Sequence, residues 1–286
     1  MKTKNTAISV RARLLDRARR DGDDFQRLLV RYAIERLLYR LSTTRHADDF
    51  VLKGATLFAL WMGKPHRATK DLDLLGRGSP DVDRLVGVFQ EIAAVVCSED
   101  GMHFDPVGIE GAPIREEAAY AGVRVVVPAD LAGARIRVQV DIGLGDATVP
   151  PPPLVDVTSV LDLPQPRLRA YAPETVVAEK LEALVVLGIA TSRMKDLYDL
   201  DLIRRTFAFD DTLVAAVSAT FARRGTPIPT DLPIGLSDAF AADAVKRTQW
   251  TAFLRKAGGE PGLELAAVVA DLRAWLWPVL ERAAQR

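Results

Sequence analysis

Two aspartates spaced two apart, Asp71 and Asp73, stand in the short apolar run "KDLDLLG" of this 286-residue chain. In a strand, positions i and i+2 project to one side, so both carboxylates share a face. Like charges so close together are unfavourable unless water solvates them or a cation sits between them. Paired carboxylate oxygens suit Mg2+, which completes its shell with water and substrate phosphates. Asp141 is available as a third carboxylate. In "ARIRVQVDIG", Ile136, Val138, Val140 and Ile142 alternate with Arg135, Arg137, Gln139 and Asp141, which puts Asp141 on the polar side of a strand. Two acids from one strand and one from another suit a metal pair that clamps attacking and leaving oxygens in phosphoryl transfer. A solvated pair of surface acids is the plainer alternative, and the residues alone leave it open.

Upstream, "KGAT" at 53–56 follows a brief strand and opens a helix. Backbone N–H groups at such a helix start bind anions, and Gly54 lets a phosphate approach closely. In that reading Lys53 adds charge, Ala55 a backbone amide and Thr56 a hydroxyl. A tight strand-to-helix turn explains the same residues. The loop "GKPHRATK" then supplies Lys64, Arg67 and Lys70 just before the two acids. Farther on, Lys180 falls on or beside the apolar stripe of a helix, where an ammonium needs a partner or a route to water. Asp196 and Asp199, three apart on the next helix, are its candidate partners, although a surface pair fits the spacing equally well.

The elements that must position these groups follow from periodicity. Residues 9–41 read as two helices separated by "DGDD", with Arg27, Arg31, Arg36 and Arg40 off the apolar stripe. A helix is expected from "DVDRLV" towards a stop near Gly101. "MHFDPVGI" and two strands around a turn in "AGVRVVVPADLAGARIRVQVDIGLG" follow, with a further strand possible at 154–160. Prolines 150–153 mark a soft boundary, and from Pro173 the chain turns helical. The organisation expected is α/β: a core in residues 1–150 with basic N-terminal helices, then a mainly helical domain in 151–286.

Composition limits the classes. With 49% hydrophobic and 27% charged residues the chain is of ordinary globular type. No apolar run reaches the roughly 20 residues of a membrane helix, and the N-terminus lacks a secretory stretch, so no membrane and a cytoplasmic address are expected. One cysteine, Cys97, and three histidines leave no material for a thiolate or His-ligated metal site. Formal net charge is zero, but residues 1–40 hold 11 Lys or Arg against 5 Asp or Glu. A basic start on an acidic body could steer towards a polyanion, or be two solvated helix faces.

Taken together, "FVLKGATLFALWMG…HRATKDLDLLG", "YAPETVVAEKLEALVVLG" and "SRMKDLYDLDLI" resemble the AbiEii/AbiGii nucleotidyltransferase toxins, related to the MenT toxins and more distantly to DNA polymerase β-like nucleotidyltransferases. The resemblance covers about residues 50–205. It implies a small mixed sheet carrying the acids and a helical domain closing over the nucleotide, completing an active-site cleft. It also implies a toxin with a cognate antitoxin encoded alongside, and Mg2+-dependent transfer of a nucleoside monophosphate from an NTP to RNA, with the tRNA 3′ acceptor end as a target. By that likeness Gly54 takes the phosphate-binding glycine, Asp71 and Asp73 the metal-binding pair, Lys180 the essential lysine and Asp196 the downstream aspartate, with Asp199 next in line. The NTP-binding set is then Lys53, Gly54, Ala55, Thr56, Arg67, Lys180 and Asp199, and Asp141 joins the metal ligands. Where the wider superfamily has Gly-Ser or Gly-Gly, this chain has Gly54-Ala55, without the serine hydroxyl. Two other readings stand beside this one: a non-catalytic nucleotide-binding toxin acting through a partner, and a nucleotidyltransferase modifying a small molecule or a protein.

Overall fold

The computed structural model describes residues 2–63, 71–114, 122–259 and 262–285. Arg67, with Lys64 and Lys70 of the same loop, lies outside the described residues. The chain divides into two compact units, one of residues 1–145 and 153–170, the other of 146–152 and 171–286.

The first unit runs α1 (Lys2–Asp21), α2 (Phe25–Ser42), β1 (Phe50–Lys53), α3 (Thr56–Met62), β2 (Asp71–Gly76), α4 (Val82–Ala93), β3 (His103–Phe104), β4 (Glu110–Ile114), β5 (Gly122–Leu131), β6 (Ala134–Leu144), β7 (Leu154–Asp156) and β8 (Arg167–Ala170). Among the described residues these eight strands form one sheet in the order β3-β5-β6-β2-β1-β8-β7, with β4 on β5. The sheet is mixed: β2 pairs parallel with β6 and β1 parallel with β8, while the remaining pairs are antiparallel. Residues 153–170, which the sequence boundary at 150 assigns to the helical half, belong here because β7 and β8 extend this sheet.

Alternation gives the sheet one dry face. Val123, Val125 and Val127 of β5, Ile136, Val138, Val140 and Ile142 of β6, and Leu72 and Leu74 of β2 are almost fully buried. Helix α2 lies against β6 and β8, and α4 against β4 and β5. Phe50 of β1 meets Phe89 of α4 edge to face at 5.7 Å, and truncating such core side chains costs about 3–5 kcal/mol. The side chains between those residues therefore project from the opposite face. Two caps start the covering helices: Asp24 accepts the N–H of Arg27, and Asp81 that of Arg84.

Two expectations for this unit change. Helix α4 stops at Ala93 rather than near Gly101, and the following loop brings Asp100 under α2. There Arg40, placed by its spacing on a solvent face, is buried and forked onto Asp100 at 2.6 and 3.2 Å. Arg36 is likewise buried, one of its guanidinium nitrogens donating both to Glu35 and to the carbonyl of Pro164. Part of the N-terminal positive charge is thus structural and does not face a polyanion.

The second unit is helical: α5 (Pro173–Leu187), α6 (Met194–Thr206), α7 (Asp211–Arg224), α8 (Asp238–Ala242), α9 (Ala244–Ala257) and α10 (Leu265–Ala284). Pro173 opens α5, and Gly188 caps its end. Helix α10 packs on α6, α7 and α8, and α5 packs on α6 and α7. Among the described residues no helix is long and apolar enough to cross a membrane.

Candidate active site

The polar face of the sheet carries a row of charge across four adjacent strands. Lys53 of β1 lies opposite Asp73 of β2, Asp73 lies beside Asp141 of β6, and Asp141 lies opposite Arg124 of β5. The order is cation, acid, acid, cation. Neighbouring strands lie about 4.8 Å apart, so each group sits in the field of the next. Asp71, one step along the same face of β2, lies beside Gln139. Asp71, Asp73 and Asp141 are neither fully buried nor fully exposed.

Gly54, between β1 and α3, has φ +75°, a left-handed backbone that favours glycine. A Cβ there would lie 1.9 Å from Oδ2 of Asp73. The missing side chain therefore lets a carboxylate rest directly against the turn expected to bind phosphate. Helix α3 has seven residues, so its dipole is small, and any anion grip rests on the individual N–H groups of the turn.

Asp141 is already engaged. Arg124 donates to both its oxygens, Nε to Oδ1 at 2.8 Å and an Nη to Oδ2 at 2.8 Å, and Gln139 adds a weaker contact at 3.3 Å. The hydrogen bond to Asp141 raises the Arg124 pKa above its ordinary value. Burial opposes that rise, and the charges of Asp141 and Asp71 add to it. Asp71 and Asp73 are the carboxylates of this face that could hold a divalent cation, an ion that usually completes its shell with water and phosphate. Asp141 stands as an ion pair rather than an open ligand, and among the described residues no group of three or more His, Cys, Asp or Glu is arranged to hold a metal ion.

The second unit holds a separate charged centre. Lys180 of α5 donates to Oδ1 of Asp196 at 2.6 Å and to Oδ2 of Asp199 at 2.8 Å, both on α6. Asp196 and Asp199 are almost wholly enclosed. Burial alone would lower the Lys180 pKa, but the two carboxylates outweigh it and the ammonium is held above its ordinary value. For Asp196, burial pushes upward while Lys180 and Arg193, the latter at 2.6 Å, pull it below the usual range. The structure thus joins three residues whose spacing alone left the choice open.

Arg124 and Arg193 are the charged partners that the sequence reading did not single out. The signal for Arg124 was present. The two-residue turn Ala132-Gly133, with φ 50° and 84°, joins β5 to β6 and has the positive φ values of a tight hairpin. Counting outward from it pairs Leu131 with Ala134 and, seven steps back, Arg124 with Asp141.

A family model described as "Nucleotidyl transferase AbiEii toxin, Type IV TA system" matches residues 36–277. Two solved structures from Helicobacter pylori share the fold. One is described as a nucleotidyltransferase: TM-score 0.55, 14% identity, covering 92% of this chain and 98% of that one. The other is JHP933: TM-score 0.50, 14% identity, covering 92% and 95%. No curated protein matches the sequence.

Proposed function

The chain belongs to the AbiEii nucleotidyl transferase toxin family of type IV toxin–antitoxin systems, and on that premise we propose that it transfers a nucleoside monophosphate from an NTP to RNA at the tRNA 3′ acceptor end, with Mg2+. Membership implies an NTP substrate and an antitoxin partner. The observation that carries the reading is the Asp73 carboxylate set against the Gly54 turn, with Asp141 beside it on the neighbouring strand.

In this reading Asp71, Asp73 and Asp141 would hold the divalent cation, which would supply charge neutralisation to the triphosphate. The N–H groups of Gly54, Ala55 and Thr56 seat the outer phosphates, with Lys53 adding charge. The acceptor hydroxyl attacks the α-phosphorus. An O–P bond forms there, the bridging bond to the β-phosphate breaks, and pyrophosphate leaves. Asp141 orients that hydroxyl or takes its proton. Lys180, the essential lysine by family likeness, has its ammonium held by Asp196 and Asp199. Catalysis is then mainly positioning and electrostatics.

The test is incubation with total tRNA, Mg2+ and each NTP labelled on its α-phosphate, alongside RNA-free and chelator-treated arms. Label entering tRNA from a preferred NTP, and lost with chelator, supports the proposal. NTP binding without incorporation makes the protein a nucleotide-responsive binder instead. RNA-independent turnover points to a small-molecule or protein acceptor.

A further inference from the structure

The Arg124–Asp141 pair is built differently from a second forked Arg–Asp pair among the described residues of the same unit. The Arg40 and Asp100 side chains are 2% and 0% exposed, so exchanging partners there would strand charge in the core. Arg124 and Asp141 are 43% and 21% exposed, and an ion pair so open to water contributes little net stability. It can exchange. The same planar fork that grips a carboxylate grips a phosphate equally well. Asp141 lies beside Asp73 in the β2–β6 register, and Asp71 is close enough for its charge to act on Arg124.

Building on the metal reading above, we infer that Arg124 is a displaceable counter-ion. It closes Asp141 in the nucleotide-free protein, and it turns to the nucleotide's phosphates when a divalent cation takes Asp141. Arg124 is then a positioning residue with opposite effects on the two ligands: it weakens binding of the bare cation and strengthens binding of the nucleotide. A merely structural arginine would not split them in that way.

The experiment is a Mn2+ titration of the nucleotide-free protein followed by spin resonance, then titration of a non-hydrolysable NTP at saturating Mn2+. Wild type, Asp73→Asn, Arg124→Lys and Arg124→Gln are compared. Arg124→Lys keeps the charge but loses the fork, so it isolates the lock from the general field. Mn2+ is expected to bind at least about threefold tighter in Arg124→Lys and about tenfold tighter in Arg124→Gln. Nucleotide affinity is expected to fall about tenfold in both. Wild-type Mn2+ affinity in Arg124→Lys, or unchanged nucleotide affinity in either variant, overturns the inference. If Arg124→Gln does not fold, Arg124→Lys carries the test alone. Asp73→Asn separates the two claims: if it leaves Mn2+ binding intact, the metal reading itself fails. If it abolishes binding while Arg124→Lys binds Mn2+ like wild type, only the counter-ion role fails.

Discussion

The two charged centres use the same ingredients to opposite ends. On the sheet, Asp71, Asp73 and Asp141 share a half-open face with Lys53 and Arg124 at either end of the row. In the helical unit, Lys180 is closed between Asp196 and Asp199, which are 4% and 0% exposed. A carboxylate in contact with water can change partners at small cost, because solvent compensates each loss. A carboxylate without water cannot, and losing its cation leaves an uncompensated charge. The sheet centre is therefore suited to receiving ions and phosphates, whereas the helical centre is suited to holding one arrangement. Burial, rather than residue type, makes the difference.

That contrast can be broken most forcefully at Lys180. Lys180→Met takes from two enclosed aspartates the ammonium they share, so unfolding stability should fall by about 3–5 kcal/mol, read from denaturant melts. A loss below about 1 kcal/mol would mean that the helical centre is as exchangeable as the sheet. Gly54→Ala comes next. Its left-handed φ and the overlap with Asp73 predict a loss of about 1–2 kcal/mol in the same melts, together with displacement of Asp73 and loss of transfer.

A pH series sharpens the comparison with a smaller effect. The Lys180 pKa is raised in the folded state, so its contribution is complete below its ordinary value of 10.5 and is lost as pH rises through the higher folded value. The Asp196 pKa is lowered, so its contribution is present above its ordinary value of 3.8 and disappears as pH falls through the lower folded value. Both contributions are therefore present between those limits. In Lys180→Met the alkaline loss should vanish, and the acid loss should shrink with it. The smallest effect concerns the hairpin that sets the Arg124–Asp141 register. Ala132 takes a positive φ that asparagine tolerates better, so Ala132→Asn should raise stability by about 0.5–1 kcal/mol with activity unchanged.

Much of the sheet centre is legible in the sequence because it depends on period-two alternation, a local property. That period puts Asp71 with Asp73, and Asp141 opposite the valines and isoleucines of its strand. The Asp141 partner was legible only by counting back from the Ala132-Gly133 turn. Lys180 with Asp196 and Asp199 is a contact between two helices, so spacing proposes it and only packing decides it. Arg36 and Arg40 mislead because an arginine off the apolar stripe reads as solvent-facing. Their burial depends on Asp100, Glu35 and a distant carbonyl, to which no local pattern points. β8 escapes for a similar reason: its parallel pairing with β1 spans more than a hundred residues.

The central claim is that Asp71 and Asp73 stand together because a divalent cation and a triphosphate use them. Asp73→Asn tests it most directly, with labelled NTP incorporation into tRNA and thermal melting measured on the same preparation. Incorporation should fall by at least about 100-fold, while the melting temperature stays close to the wild-type value because charges on this half-open face are solvated. Full incorporation by Asp73→Asn, with the fold intact, would contradict the account.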